Sequence, residues 1–285
     1  MSRHASRPVR VLAGAALAVA ALAAAVVPLV SAQAAAKPAQ PPNFIVTCTF
    51  SHRLPDDPIV FPNQPGRSHS HDFFGNTTTK ASSTVASLLK GGTTCDRPAD
   101  TAAYWMPTAY LNGVALSPVK ATIYYRDMAA NPKAVHTVPA GLKMLAGNPL
   151  TTLPQDALFV GWTCTAANGS KEVYYPNVPL CPVGQQVSLR VRFPECWDGT
   201  HLDSADHRSH LAFATNRTCP ADHPVMIPRI AITAIYNSRG GSGITLASGS
   251  ALTGHGDFVN SWTQSELDRL VRVCLQAGRM CGRGT

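Results

Sequence analysis

The sequence predicts an all-β fold, a β-sandwich or jelly roll with long disulfide-tied loops and one C-terminal helix. Three observations carry this expectation. Short strand-like segments recur at short intervals, 23 prolines and 21 glycines punctuate them, and eight cysteines can staple the connections. Only one stretch, near the C-terminus, repeats apolar residues at helical spacing.

The first 34 residues read as an export signal rather than as part of the fold. Arg3, Arg7 and Arg10 form a positive start, Val11 to Val30 is an alanine-rich apolar run, and Ala32-Gln33-Ala34 is the small-x-small pattern of signal cleavage. The run is long enough to span a bilayer, so an uncleaved anchor is the alternative. Its poverty in Leu, Ile and Phe favours cleavage. Residues 35–42 form a short proline-rich leader, and residues 43–285 a single secreted domain, expected to be monomeric and free of the membrane after cleavage.

Asn43 to Phe50 alternates apolar and polar positions as a strand, and Pro55 and Pro58 break the segment after it. Arg67 to Asn76 reads as a polar approach, two aromatics and a glycine turn. Thr84 to Leu89 is a short helical turn. Tyr104 to Pro107 and Ala121 to Arg126 are strand-like, separated by the turn Asn112-Gly113. Leu142 to Ala146 and Leu158 to Cys164 are further candidates. Val187 to Phe193 is the cleanest strand, with Val187, Leu189, Val191 and Phe193 on one face. Leu211 to Ala214 and Met226 to Tyr236 are also strands, and His255 to Phe258 reads as a glycine-rich turn. The helix begins with Thr263 and Glu266 as a capping box, and Leu267, Leu270, Val271, Cys274 and Leu275 form its apolar stripe.

All eight cysteines lie beyond the export signal, and an even count in an exported chain argues for four disulfides. Closing local loops gives the sequential pairing 48–95, 164–181, 196–219 and 274–281. No CxxC spacing supports zinc bound through sulfur. Removing Arg3, Arg7 and Arg10 takes the formal net charge from +8 to +5. The remaining surplus is scattered, without a basic run or basic–aromatic interleaving, which argues against nucleic acid as a partner.

Phe193 to His210, FPECWDGTHLDSADHRSH, concentrates Glu195, Asp198, Asp203 and Asp206 with His201, His207 and His210, although the chain has only 16 acidic residues. A titratable stretch leaving the end of a strand is where sites are often built. Glu195, Asp206 and His210 are the candidates for proton transfer. Asp198, Trp197, His207, His223, His255 and Asp257 are candidates for substrate binding. Asp203 caps a turn or serves the chemistry. His69 and His71 project to one face of an extended segment, so both imidazoles could reach one substrate or one divalent metal ion. Two histidines bonded within a loop are the alternative. The GxSxG, HExxH, P-loop and GxGxxG signatures are missing from the sequence.

Seven ordered motifs carry a resemblance: SHSHDFFG, YWMP, the YY of ATIYYR, GLKMLAGN, FPECWDGTHLDSADHRSH, CPADHPVMIPRI and HGDFVNSW. Over residues 44–275 the chain resembles a secreted domain-of-unknown-function family of actinobacteria and filamentous fungi, whose fungal members are sometimes fused to carbohydrate-binding WSC modules. The family pattern matches His69, His71, His207, His210, His223, His255, Asp203, Asp206 and Asp257. One departure is Ser261, where the family more often has glycine. The resemblance implies an extracellular or cell-wall polysaccharide as partner and leaves the reaction open. The expected function is glycan cleavage by a His/Asp/Glu pocket; the alternative is a non-catalytic wall-binding protein holding a structural metal.

Overall fold

The computed structural model describes residues 40–165 and 172–282. The expected export signal lies outside the described residues, as does most of the leader. The described strands are β1 (Asn43–Leu54), β2 (His71–Gly75), β3 (Ala103–Pro107), β4 (Ala109–Leu111), β5 (Val114–Ala115), β6 (Pro118–Arg126), β7 (Lys143–Gly147), β8 (Val160–Cys164) and β9 (Val187–Arg192). They continue with β10 (Cys196–Trp197), β11 (Leu211–Ala212), β12 (Val225–Met226), β13 (Arg229–Tyr236), β14 (Ile244–Leu246), β15 (Gly249–Ser250), β16 (His255–Val259) and β17 (Met280–Cys281).

The fold is all-β. Its principal sheet runs β7-β16-β3-β2-β1-β6-β13-β9-β8, antiparallel throughout, with β17 alone joining β1 in parallel. The sheet curls until β7 and β9 pack against each other, giving a sandwich or barrel-like body. Two small sheets, β11-β10-β12 and β15-β14-β4-β5, sit beside it.

Period-two alternation explains which side chains go inside. From β1 come Phe44, Val46 and Cys48, from β6 Ile123 and Tyr125, from β13 Ile230 and Ile232, and from β9 Leu189 and Val191. Removing each large apolar side chain from water stabilises the fold by ~1.5–3 kcal/mol. Strand β1 stops at Leu54 because Pro55 cannot donate to the ladder. Between β4 and β5, Asn112 and Gly113 both adopt positive φ, as a two-residue hairpin turn requires.

Two segments read as loops are in fact strands of the principal sheet. His71–Gly75 and His255–Val259 are buried along their whole length, so neither shows polar alternation. The cysteines pair 48–95, 164–181, 196–219 and 274–281, and none is free. The C-terminal helix α2 (Gln264–Leu270), which comes after the short α1 (Val85–Leu88), passes into a π-helical turn at Val271–Leu275 and buries the expected stripe. Its capping box does not form. Thr263 makes no side-chain cap, and the Glu266 carboxylate accepts from Arg269 at 2.8 Å instead of from the Thr263 backbone. Among the described residues no helix is long and apolar enough to cross a membrane.

At the centre, Phe44 stacks on Tyr125 with ring centroids 4.6 Å apart, and Trp262 meets Tyr125 edge-on. Trp262 Nε1 donates to the Tyr125 hydroxyl at 3.0 Å, which lies 2.6 Å from the Tyr104 hydroxyl; Tyr104 in turn donates to Asp100 Oδ2 at 2.9 Å. Burial pushes the Asp100 carboxyl up to about 8. Tyr125→Phe leaves the ring packing intact but deprives Trp262 of its nearer acceptor. It is expected to lower the unfolding free energy by about 1–3 kcal/mol, read from urea denaturation.

Candidate functional site

The most concentrated group of ionisable side chains with unmet bonding capacity lies on the outer face of β2, β3 and β16. Residues of alternate position on neighbouring strands share that face: His71 and Phe73 on β2, Trp105 on β3, His255, Asp257 and Val259 on β16. The segment after Pro55 folds over them. Ile59 packs into a cluster with Phe73, Trp105 and Val259, and this closes water out. Asp57 arrives on the same segment, with Oδ1 accepting from the backbone N–H of Ile59 and Val60, both at 2.9 Å.

Three imidazoles converge. The rings of His69 and His71 are 4.3 Å apart between centroids, and His69 Nε2 is 3.1 Å from His255 Nε2. Backbone carbonyls fix the tautomers of the two buried rings. A carbonyl only accepts, so His255 donates Nδ1–H to Thr253 O at 2.8 Å, and His71 donates Nδ1–H to Asp56 O at 3.0 Å. In the neutral ring each Nε2 is then a bare lone pair. Desolvation holds all three histidines below their ordinary pKa, with His255 at about 3; neighbouring imidazoles add to this for His71 and His255. Gly147, at positive φ, ends β7 beside this ring, where a Cβ would collide with the Gly254 carbonyl and the His255 backbone.

The carboxylates of Asp57 and Asp257 complete the cluster. The candidate ligand atoms of His69, His71 and His255 lie within 4.8 Å of one another, as do those of Asp57, His71 and Asp257, so His71 is common to both sets. Burial raises the pKa of both carboxyls; that of Asp257 is raised well above the ordinary range, with Asp57 adding repulsion. Among the described residues, three polar atoms here are buried without a well-formed hydrogen bond: the acceptors His71 Nε2 and Asp257 Oδ2, and the Trp105 Nε1–H donor, which acts on Asp57. Such atoms cost free energy unless something satisfies them. The residues fit a divalent ion on this ground. Neutral imidazoles with carbonyl-anchored Nδ1 and free Nε2 are the usual preparation of metal-binding histidines. The 3.1 Å between His69 and His255 approaches the ~3.4 Å edge spanned by two ligands on a tetrahedral ion with ~2.1 Å bonds.

The stretch from Glu195 to His210 is divided among several tasks. Glu195 is fully buried, and Arg229 takes both of its oxygens, Nε reaching Oε2 at 2.9 Å and Nη2 reaching Oε1. The expectation that Glu195 moves a proton meets a carboxylate already committed to a guanidinium. Asp206 is a turn cap. Its Oδ1 accepts from Ser204 Oγ and from the backbone N–H of Arg208 and Ser209, which hold its pKa below the ordinary range. His210 is buried, bridging Ser204 Oγ and Lys143 O, each at 2.8 Å. Asp198 binds the backbone of Thr200 and His201 and the His201 ring; against a burial penalty these bonds hold its carboxyl at about 2. Trp197 donates Nε1–H to His201 O.

Asp203 lies between Lys143, at 2.9 Å, and His207, at 2.8 Å. His223 is 3.0 Å from Asp222 and 2.9 Å from Ser209 O. Asp198, His201, Asp203, Ser209 and His210 line an open depression of about 540 Å³. The imidazole cluster is outside this depression. His207 and Arg208 link the two, for His207 acts electrostatically on Asp57, and Arg208 on His255 and Asp257. Arg208 is fixed by donation to Gly147 O at 2.8 Å.

Sequence reasoning misses Asp57 because it lies between Pro55 and Pro58, twelve residues before His69, in a segment without strand or helix periodicity. The one signal available is the pair Asp56-Asp57 shortly before the HxH. The Glu195–Arg229 pair gives the first test here. Arg229→Met leaves a carboxylate buried without its counter-ion, and the expected loss is about 3–5 kcal/mol in denaturant titration.

No curated protein and no solved structure matches this chain. A family model does match, that of the Domain of unknown function (DUF1996), over residues 57–262. The matched region begins at Asp57 and includes all the residues of the imidazole–carboxylate cluster, and the chain belongs to this family.

Proposed function

We propose that this is a secreted carbohydrate-active protein in which His69, His71 and His255 hold a divalent metal ion and the adjoining carboxyls act on an extracellular or cell-wall polysaccharide. The observation that carries the metal is the pair of carbonyl-anchored histidines whose Nδ1–H donation leaves Nε2 as the ligand atom, that of His255 facing His69 Nε2 and that of His71 without a partner, in a set within 4.8 Å. The carbohydrate half of the reading is supported by the export signal expected from the sequence, the four disulfides and the resemblance to a family whose fungal members are sometimes fused to carbohydrate-binding modules.

When bound, the ion would be held by His69, His71 and His255 and would supply Lewis acidity. The chain's own residues do the rest. Asp257, whose pKa is raised by burial and by Asp57, donates a proton to the departing sugar oxygen as a water molecule bonds to the anomeric carbon, and the proton released by that water returns to the Asp57–Asp257 pair. His69, the half-buried member of the triad, meets the substrate from the solvent side. Arg208 steadies negative charge developing beside His255 and Asp257. The neighbouring depression, with Asp198, Trp197, His207, His210 and His223 on or near it, cradles the flanking sugar units.

The depth of His71 and Asp257, both almost wholly withdrawn from solvent, favours a second reading. In it the ion is structural and the protein binds glycan without cutting it.

Mass-spectrometric metal analysis of protein purified without chelator is expected to give about one divalent ion per chain, lost in His71→Ala and His255→Ala. Incubation with a panel of wall and extracellular glycans is expected to release new chain ends, stopped by chelation and restored by metal. Asp257→Asn retains the ion and loses about 10²–10⁴-fold in rate. Metal bound at full occupancy without cleavage of any glycan supports the structural reading, and metal-free protein removes both.

A further inference from the structure

The opposite end of the principal sheet bears a different cluster on its outer face. Arg126 of β6 stands directly across from Arg229 of β13 in the antiparallel register. Arg190 and Arg192 of β9, two residues apart and so on one face, pair with Thr233 and Ala231 of β13. Four guanidiniums thus share three adjacent strands, with the small Ala231 leaving room between them. Like charges directly across a ladder are destabilising, so the arrangement is not explained by the sheet's own stability.

Their partners do not balance them. Arg229 is taken by Glu195. Arg126 lies over the Tyr124 ring at 4.2 Å, and Arg190 lies over Tyr174. Glu172, exposed and bonded to Tyr174, acts on Arg126 and Arg190 only at a distance, as does Asp156 on Arg192. Arg190 is only 3% exposed, yet among the described residues its Nε and Nη2 meet no acceptor, nor does Nε of Arg192. Arg126, Arg190, Arg192 and Arg229 line a depression of about 270 Å³ together with Gln40, Pro41 and Met128.

A buried guanidinium with unused N–H groups is costly when left alone, and its planar fork matches two oxygens of one anion. We propose that the outer face of β6, β13 and β9 is a binding site for an oxyanion, the phosphate, sulfate or carboxylate group of a small ligand or of a polymer side group. The anion accepts from Arg190 Nε and Nη2 and from Arg192 Nε, and Arg126 adds charge from the facing strand. Arg229 stays with Glu195 and closes the far wall. The volume falls just below the ~300–1,000 Å³ of drug-sized ligand sites, which suits one charged group and a sugar-sized remainder. The site is separate from the imidazole cluster and does not depend on the function proposed for it.

The test is thermal unfolding and calorimetric titration of the intact protein with sodium phosphate, sodium sulfate or sodium glucuronate, each against sodium chloride at equal ionic strength. Saturable binding of at least one oxyanion is expected, with a rise of a few degrees in Tm at millimolar concentration and none with chloride. A preference for glucuronate points to an acidic sugar, and a preference for phosphate or sulfate to an inorganic or ester group. Arg190→Met and the more exposed Arg192→Gln are each expected to abolish the response. Arg192→Gln, relieved of one like charge, should melt no lower than the wild type in chloride. His71→Ala should leave the anion response unchanged, which separates this site from the metal centre. Equal responses to chloride and oxyanions, or undiminished saturable binding by either folded arginine variant, overturn the proposal.

Discussion

The outer face of β2, β3 and β16 is sealed from water by the segment that carries Asp57 and Ile59, and the candidate chemistry depends on that seal. A strand sends alternate residues to opposite faces, and the inner face of this sheet is already filled by the apolar set. Whatever is encoded at the outward positions of these strands is therefore buried as well. For Phe73, Trp105 and Val259 that is ordinary packing. For His71, His255 and Asp257 it means that bulk water cannot complete their hydrogen bonds. The two imidazoles consequently lean on backbone carbonyls through Nδ1, and their other nitrogens turn towards each other and towards the carboxyls. Burial thus sets tautomer, protonation and direction together.

The same constraint decides what could be read from the sequence. Strand β9 was legible because its inward residues Val187, Leu189 and Val191 are apolar and the residues between them are not. The disulfides were legible because each closes a local loop. Strands β2 and β16 were not, since a strand buried on both faces and carrying His or Asp on one of them loses the alternation that announces a strand. Their short runs ending in glycine or starting with His-Gly resemble turns. The HxH spacing did place His69 and His71 on one side, because that argument needs only extended backbone. Asp57 is brought to the site by a proline-bounded excursion, and nothing local in the chain encodes such a meeting.

Charge density in the sequence pointed elsewhere, and the reason is physical. The residues from Asp198 to His210 form a chain of turns, and turns consume carboxylates and hydroxyls to satisfy backbone N–H groups. Asp198 and Asp206 are both occupied in this way. Glu195 neutralises an arginine in the interior. A local excess of acids is therefore as much a property of a tightly wound loop as of an active centre. What distinguishes the imidazole cluster is unmet bonding capacity, which is a property of the folded chain and not of composition.

Unmet capacity also links the two ends of the sheet. Among the described residues, eleven buried side-chain atoms lack a well-formed hydrogen bond, and six of them fall in two groups. His71, Trp105 and Asp257 supply three, and Arg190 and Arg192 the other three. The remaining five are single atoms on five different residues. Random imperfection of packing would scatter such atoms, because each costs free energy where it stands and gains nothing from its neighbours. Grouping by charge type is different: the His71 lone pair and the Asp257 oxygen gather at one end, beside an indole N–H that acts on Asp57, and guanidinium N–H groups gather at the other. Each group is the complement of one kind of ligand, a cation for the first and an oxyanion for the second. One curled sheet, apolar within, can carry both because its two outer faces belong to different strands, so the electrostatic demands of one site need not be reconciled with those of the other.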